Sequence, residues 1–147
     1  MKFFIDENIS HVIAKALSCL ERDDKPDFAD KVYIRHLFDE YDESRRPVAD
    51  ETWIPEMTQA GFIIITVDHA QKKNRGKHAA EAKAYRDNNA IAFWLPRSFV
   101  SASGKQKWEQ ASRLFKWWPT IVDAARGAGP GQLFDINEKG EPKLRDS

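Results

Sequence analysis

Residues 62–68 read FIIITVD. The run is unbroken, rich in β-branched residues and closed by an acid. It predicts a strand from Phe62 to Val67 with Asp68 at its end. A strand with no alternating polar face is covered on both sides, the habit of a parallel sheet. Just before it, Trp53, Ile54, Met57 and Ala60 supply one apolar helix face, and Gly61 is placed to end that helix. Further back lie the acidic loop DEYDESRRPVADE (39–51) and a second strand, KVYIRHLF (31–38).

The chain start repeats the pattern. KFFID (2–6) is a short apolar run ended by charge. After it, Ile9, Val12, Ile13, Ala16, Leu17 and Leu20 recur at helical spacing, with Asn8 or Ser10 as cap. The polar stretch ERDDKPDFAD (21–30) ends this helix. Downstream of Asp68, Ala80, Ala84 and Tyr85 suggest a helix closed by Asn88 and Asn89. IAFWL (91–95) is a fourth strand, stopped at Pro96. Trp108, Ala111, Phe115, Trp118, Val122 and Ala125 then mark a longer helix, which Pro119 should kink or split. Gln132–Ile136 suits a short edge strand, and NEKGEPKLRDS (137–147) reads as a frayed tail.

The alternation β-α-β-α-β-α-β-α predicts an α/β fold. Its central sheet is mainly parallel, with four or five strands, helices on both faces and right-handed crossovers. The chain has 147 residues, enough for one domain. Lys+Arg and Asp+Glu are both 23. Zero formal charge excludes a protein held on nucleic acid by its overall field, though not a local basic patch. The single cysteine, Cys19, excludes an intrachain disulfide. It reads as a partly buried, inert thiol. No apolar run reaches the length of a membrane span, and the N-terminus lacks a signal-peptide pattern. The expectation is a cytoplasmic protein.

Ligands of parallel sheets bind beyond the carboxyl ends of the strands. Asp6-Glu7-Asn8 follows the first strand, Asp68 the third, and Asp50-Glu51 opens the helix between. Taken singly, each has an ordinary explanation: Asp6 and Asp68 as turn residues, Asp50 as an N-cap. Together they place carboxylates from three distant segments on one rim. Crowded carboxylates repel unless a cation joins them, and Mg²⁺ or Mn²⁺ suits such oxygen donors. Lys72, Lys73, Arg75 and Lys77 follow Asp68, where they would meet phosphates; a solvated loop is the plainer reading. His69 and His78 lie near the rim; His69 could be an alternative ligand or touch substrate, and a surface histidine without a role is the simpler reading of His78. Arg45 and Arg46 lie in the loop before Asp50 and could reach substrate, with a solubilising role the simpler reading. Trp53 and Trp108 read as core; Trp117 and Trp118 fit core or a partner interface.

FFIDEN, ADETWIPEM and GFIIITVD together resemble the PIN-like domains. More narrowly they resemble the VapC-type toxin branch, with its D-E-N strand end, D-E-x-W helix start and T-x-D strand end. The resemblance spans residues 2–126. It implies a domain over 1–126, leaving 127–147 as a C-terminal extension with the edge strand and a flexible tail. It also implies clustered acids, Mg²⁺- or Mn²⁺-dependent ribonuclease activity and an antitoxin partner. Matched by position, Asp6, Asp50 and Asp68 are the family's acids and metal ligands, with Glu51 a second candidate at the helix. Asn8 and Thr66 would hold the ligands through hydrogen bonds, and Lys72, Lys73, Arg75 and Lys77 would bind substrate. Many family members place a fourth acid shortly after the third strand. Here 69–74 read HAQKKN, with no carboxylate. That favours one metal over two.

The leading expectation is therefore a metal-dependent endoribonuclease, the toxin of a toxin–antitoxin pair, with a homodimer as a further possibility. One rival is a catalytically weak or inactive PIN-like module that binds RNA or a partner protein. The other is a receiver-like or phosphatase domain. Asp6-Glu7 suits a receiver, but Pro96-Arg97 stands where a receiver carries lysine.

Overall fold

A computed structural model describes residues 1–24, 32–67, 82–99 and 105–145. Five strands run parallel: β1 (Lys2–Ile5), β2 (Tyr33–His36), β3 (Phe62–Val67), β4 (Ala92–Leu95) and β5 (Leu133–Ile136). A sixth, β6 (Pro142–Leu144), runs antiparallel to β5. The order across the sheet is β2-β1-β3-β4-β5-β6. The chain leaves β1 toward one edge and returns to β3 on its other side, so the order reverses between β1 and β3.

Alternation explains why the central strands read as continuous apolar runs. Phe3 and Ile5 of β1, Ile65 and Val67 of β3, and Phe93 and Leu95 of β4 point to one face. There they meet α1 (His11–Asp24) and, after the helical stretch 82–87 (α4), the longer α5 (Lys105–Arg126). Trp118 packs edge-on against Phe3 at 4.8 Å and donates its indole N–H to Glu21 at 2.7 Å. Phe4, Ile64, Ala92 and Trp94 point to the other face, against α2 (Leu37–Glu40), α3 (Asp50–Gln59) and Tyr85 of α4. Burying each such large side chain contributes roughly 1.5–3 kcal/mol. The uniform crossover hand expected from the sequence does not hold. Helices α1 and α5 share a face, yet their strands step in opposite directions across the sheet. The α5 connection therefore has the opposite hand to the other three. Without α5, the β3 and β4 residues on that face would lack a cover.

Several expectations are corrected. Strand β2 stops at His36, and Leu37–Glu40 turns helical. The His36 ring accepts the Phe38 N–H while Asp39 accepts the His36 N–H at 2.9 Å, a capping box built on histidine. Helix α5 runs unbroken through Pro119. The stretch expected to fray holds β6, so the expected edge strand β5 is internal to the sheet. Arg145 pairs with Asp135 across this hairpin. Gly140 in its turn has φ +82°, and a Cβ there would lie 2.2 Å from the Trp117 ring. Trp117 and Trp118 are buried, whereas Trp108 is 80% exposed and Val12 65%. Leu20 and Cys19 are exposed as well. Helix α1 gives the sheet only a narrow stripe, Ile13, Ala14 and Leu17, which leaves its flanking apolar positions outside. Gly61 ends α3 at φ +87° and Asn89 adopts φ +56°, as their helix-ending positions require. Among the described residues, no helix is long and apolar enough to cross a membrane.

Candidate functional site

The reversal point between β1 and β3 places Asp6. Ile5 pairs with Ile65, and one step further the Asp6 N–H donates to the Ile65 carbonyl at 3.1 Å. That register sets Asp6 beside Thr66, and the two side chains share the face that Phe4 and Ile64 occupy. The Thr66 hydroxyl donates to Asp6 Oδ2 at 2.8 Å, and the Asn8 amide donates to the same oxygen at 3.0 Å. Asp6 is 6% exposed and Thr66 fully buried. Two donors on one oxygen fix the orientation of this nearly buried acid. Asn8 and Thr66, expected to hold a ligand through hydrogen bonds, both hydrogen-bond Asp6.

Asp50 arrives on α3. It is not the N-cap: Ala49 holds that place and Asp50 begins the first turn. Its Oδ1 accepts the indole N–H of Trp53 at 3.0 Å. Trp53 is buried and stacks on Phe4 at 5.2 Å. The acid is thereby anchored, through one aromatic pair, to the strand that carries Asp6. Glu51 is exposed on the same turn.

Glu7 is the residue that the sequence reading passed over. Partial burial raises its carboxyl above the ordinary value, and the charges of Asp6 and then Asp50 raise it further. The Arg46 guanidinium pulls the other way. Glu7 thus feels the charges of two acids and of Arg46. Its adjacency to Asp6 was the available signal. Arg46 is half-buried and donates to the Tyr41 and Phe38 carbonyls at the end of α2.

His36 supports the site from the edge strand. Its Nδ1 accepts the Phe38 N–H at 3.0 Å, which assigns the proton to Nε2, donating to the Ile9 carbonyl at 2.7 Å. The Ile9 N–H in turn donates to the Asp6 carbonyl at 3.1 Å. His36 therefore braces the turn that carries Asp6, Glu7 and Asn8. Burial pushes its pKa below the ordinary value, so the ring is neutral at pH 7.

Asp68, Lys72, Lys73, Arg75 and Lys77 lie outside the described residues, as do His69, His78 and Ala80. Among the described residues, no three of His, Cys, Asp and Glu are grouped to hold a metal ion. The acids near this rim, Asp6, Glu7 and Asp50, are all carboxylates, and the charges of Asp6 and Asp50 both act on Glu7. Their mutual repulsion fits a hard cation and not a soft one.

A family model described as "PIN like domain" matches residues 1–97, which run from β1 through β4. Comparison with curated proteins and with solved structures gave no match.

Proposed function

The chain belongs to the PIN-like domain family, and from that premise we propose that it is a metal-dependent endoribonuclease. PIN-like domains are commonly nucleases that use divalent metals. The observation that carries the reading is Asp6, buried at the point where the strand order reverses and fixed there by Thr66 and Asn8. Asp6, Asp50 and Asp68 would hold Mg²⁺ or Mn²⁺, with Glu51 as the second candidate on α3. A cation held there supplies charge neutralisation for a phosphodiester and a water of lowered pKa. Thr66 and Asn8 fix which Asp6 oxygen faces the ligand, and Trp53 does the same for Asp50. The protein's own work is then positioning: a rigid acid pair at a strand end, not a covalent nucleophile. Lys72, Lys73, Arg75 and Lys77 would take the flanking phosphates.

On this proposal the protein acts as a toxin held in check by an antitoxin. Support comes from exposed Val12 and Trp108, which with Ala16 and Ala111 line an apolar groove of about 520 Å³ between α1 and α5. Trp117 and Trp118 are buried and leave that role to Trp108. A second reading, a module that binds RNA or a partner without cleaving, draws on the absence of a carboxylate in 69–74.

An RNA cleavage assay separates the two. Purified protein with Mn²⁺, Mg²⁺ or EDTA is run beside Asp6→Asn and Asp50→Asn. Metal-dependent cleavage lost in both variants is expected. Cleavage that survives both, or that persists in EDTA, would remove the acid rim from the mechanism. RNA binding without cleavage would favour the second reading.

A further inference from the structure

Arg46 is held by two backbone carbonyls and a ring. Arg35, Arg113, Arg126 and Arg145 each bridge to a carboxylate. Arg46 bridges to none among the described residues. Its Nε donates to the Tyr41 carbonyl at 3.0 Å and its Nη2 to the Phe38 carbonyl at 3.1 Å. The guanidinium lies over the Phe38 ring at 3.9 Å. All three partners are neutral. They fix the fork without cancelling its charge. Of the five N–H donors of a guanidinium, Nη1 retains both of its own.

The two carbonyls that hold this guanidinium belong to α2 and its C-cap, directly after His36, and His36 pairs with Ile5 at the carboxyl end of the sheet, so the fork lies on the rim that Asp6 also occupies. Its charge acts on His36 there. A cation beside an acid cluster has two uses. It offsets part of the cluster's repulsion, and it offers a planar fork to an anion brought up to the same rim. Guanidinium forks match phosphate oxygens, and a fork already fixed loses little freedom on binding.

We propose that Arg46 is a substrate-binding residue, donating to a non-bridging phosphate oxygen of a single-stranded RNA laid across Asp6 and Asp50. This rests on the nuclease reading of the rim and names the residue that reads the phosphate there. The plainer alternative is that Arg46 only ties the 42–49 loop to the carbonyls at the end of α2. The two differ in sign. A phosphate-binding Arg46 opposes cation binding by the acids, so its removal weakens RNA binding and tightens Mn²⁺ binding. A purely structural Arg46 would loosen both together as the rim loses order.

The test uses the full chain, with Arg46→Gln, Arg46→Lys and, as a control of equal charge loss at the far end of α5, Arg126→Gln. Anisotropy of a labelled single-stranded RNA in EDTA is measured over a range of salt. Mn²⁺ affinity is measured by calorimetry and folding by thermal melting. For Arg46→Gln, RNA affinity should fall about tenfold. The slope of log affinity against log salt should shrink by about 0.7, the value of one single-strand phosphate contact. Mn²⁺ should bind more tightly. Arg46→Lys should keep the wild-type slope while losing part of the affinity, which keeps the test decisive if Arg46→Gln melts. Arg126→Gln should change none of these. An unchanged slope in Arg46→Gln, a reduced slope in Arg46→Lys, or Mn²⁺ affinity falling in step with the melting temperature would overturn the assignment while leaving the nuclease reading in place. A wild-type protein that binds neither RNA nor Mn²⁺ would overturn both.

Discussion

Two polar clusters sit side by side on the carboxyl rim of the sheet, and they are built on opposite plans. At the end of β2, His36, Asp39 and His11 satisfy one another. Asp39 takes the His36 N–H with one oxygen and the His11 ring at 3.0 Å with the other. Burial works to raise the Asp39 carboxyl, but these bonds outweigh it and hold its pKa below the usual value. At the ends of β1 and β3 the sign is reversed. Glu7 is pushed up by partial burial and by the charges of Asp6 and Asp50, and Arg46, which acts the other way, pairs with no carboxylate among the described residues. A cluster closed on itself stabilises the fold. A cluster left in mutual repulsion costs stability unless a ligand completes it.

That contrast can be broken by substitution. The largest effect belongs to Asp6→Asn, which should lower metal-dependent RNA cleavage by at least about a hundredfold while the melting temperature holds or rises. A parallel collapse of stability would mean that Asp6 is structural. His36→Ala should weigh mainly on the fold. It removes a buried ring and two hydrogen bonds, a loss of about 2–3 kcal/mol by denaturant titration, with cleavage per folded molecule falling far less than in Asp6→Asn, since the ring braces the turn of Asp6 without touching the ligand. The pH dependence sharpens the point. The folded pKa of His36 lies below its unfolded value of about 6.5, so the unfolded chain binds the extra proton first. Its contribution is complete above that value and is lost as pH falls below it toward the folded pKa. Wild type should therefore lose stability on going from pH 7 to 5 more steeply than His36→Ala; equal slopes would show that another group sets the dependence.

Thr66→Val removes the hydroxyl that fixes Asp6 Oδ2 at nearly constant volume. It should cost about 1 kcal/mol of stability and about tenfold in cleavage, measured together on one preparation. The smallest effect is Glu7→Gln. Its raised carboxyl disfavours the ionised folded state at neutral pH, a cost that disappears as pH falls through the folded pKa. Glu7 is exposed, so solvent screens the term, and the metal-free protein should gain at most a few tenths of a kcal/mol. A loss on melting in EDTA would show that Glu7 is held by attraction.

Much of this was legible in the sequence where one physical signal dominated. The runs FFI, FIIITV and AFWL bury both faces, and so announce central parallel strands. Asp6 and its supports Asn8 and Thr66 followed from the rule that ligands meet strand ends. What was not legible depended on partners distant in the chain. A histidine capping box needs the Ile9 carbonyl to hold the ring, so the shortening of β2 left no local trace. β6 is a polar edge strand opened by Pro142, and its pairing with β5 needs no apolar pattern. Trp108 steps in register with Trp118, and only the placement of α5 over the sheet decides which of them is covered. Glu7 and Arg46 look like ordinary loop charges until Asp50 is brought beside them.

The central claim is that the acid rim binds a divalent cation and its neighbour cluster does not. Calorimetric titration of Mn²⁺ into wild type, Asp6→Asn and Asp39→Asn tests it directly. Binding should vanish in Asp6→Asn and persist in Asp39→Asn. Binding that survives in Asp6→Asn and is lost in Asp39→Asn would contradict the account.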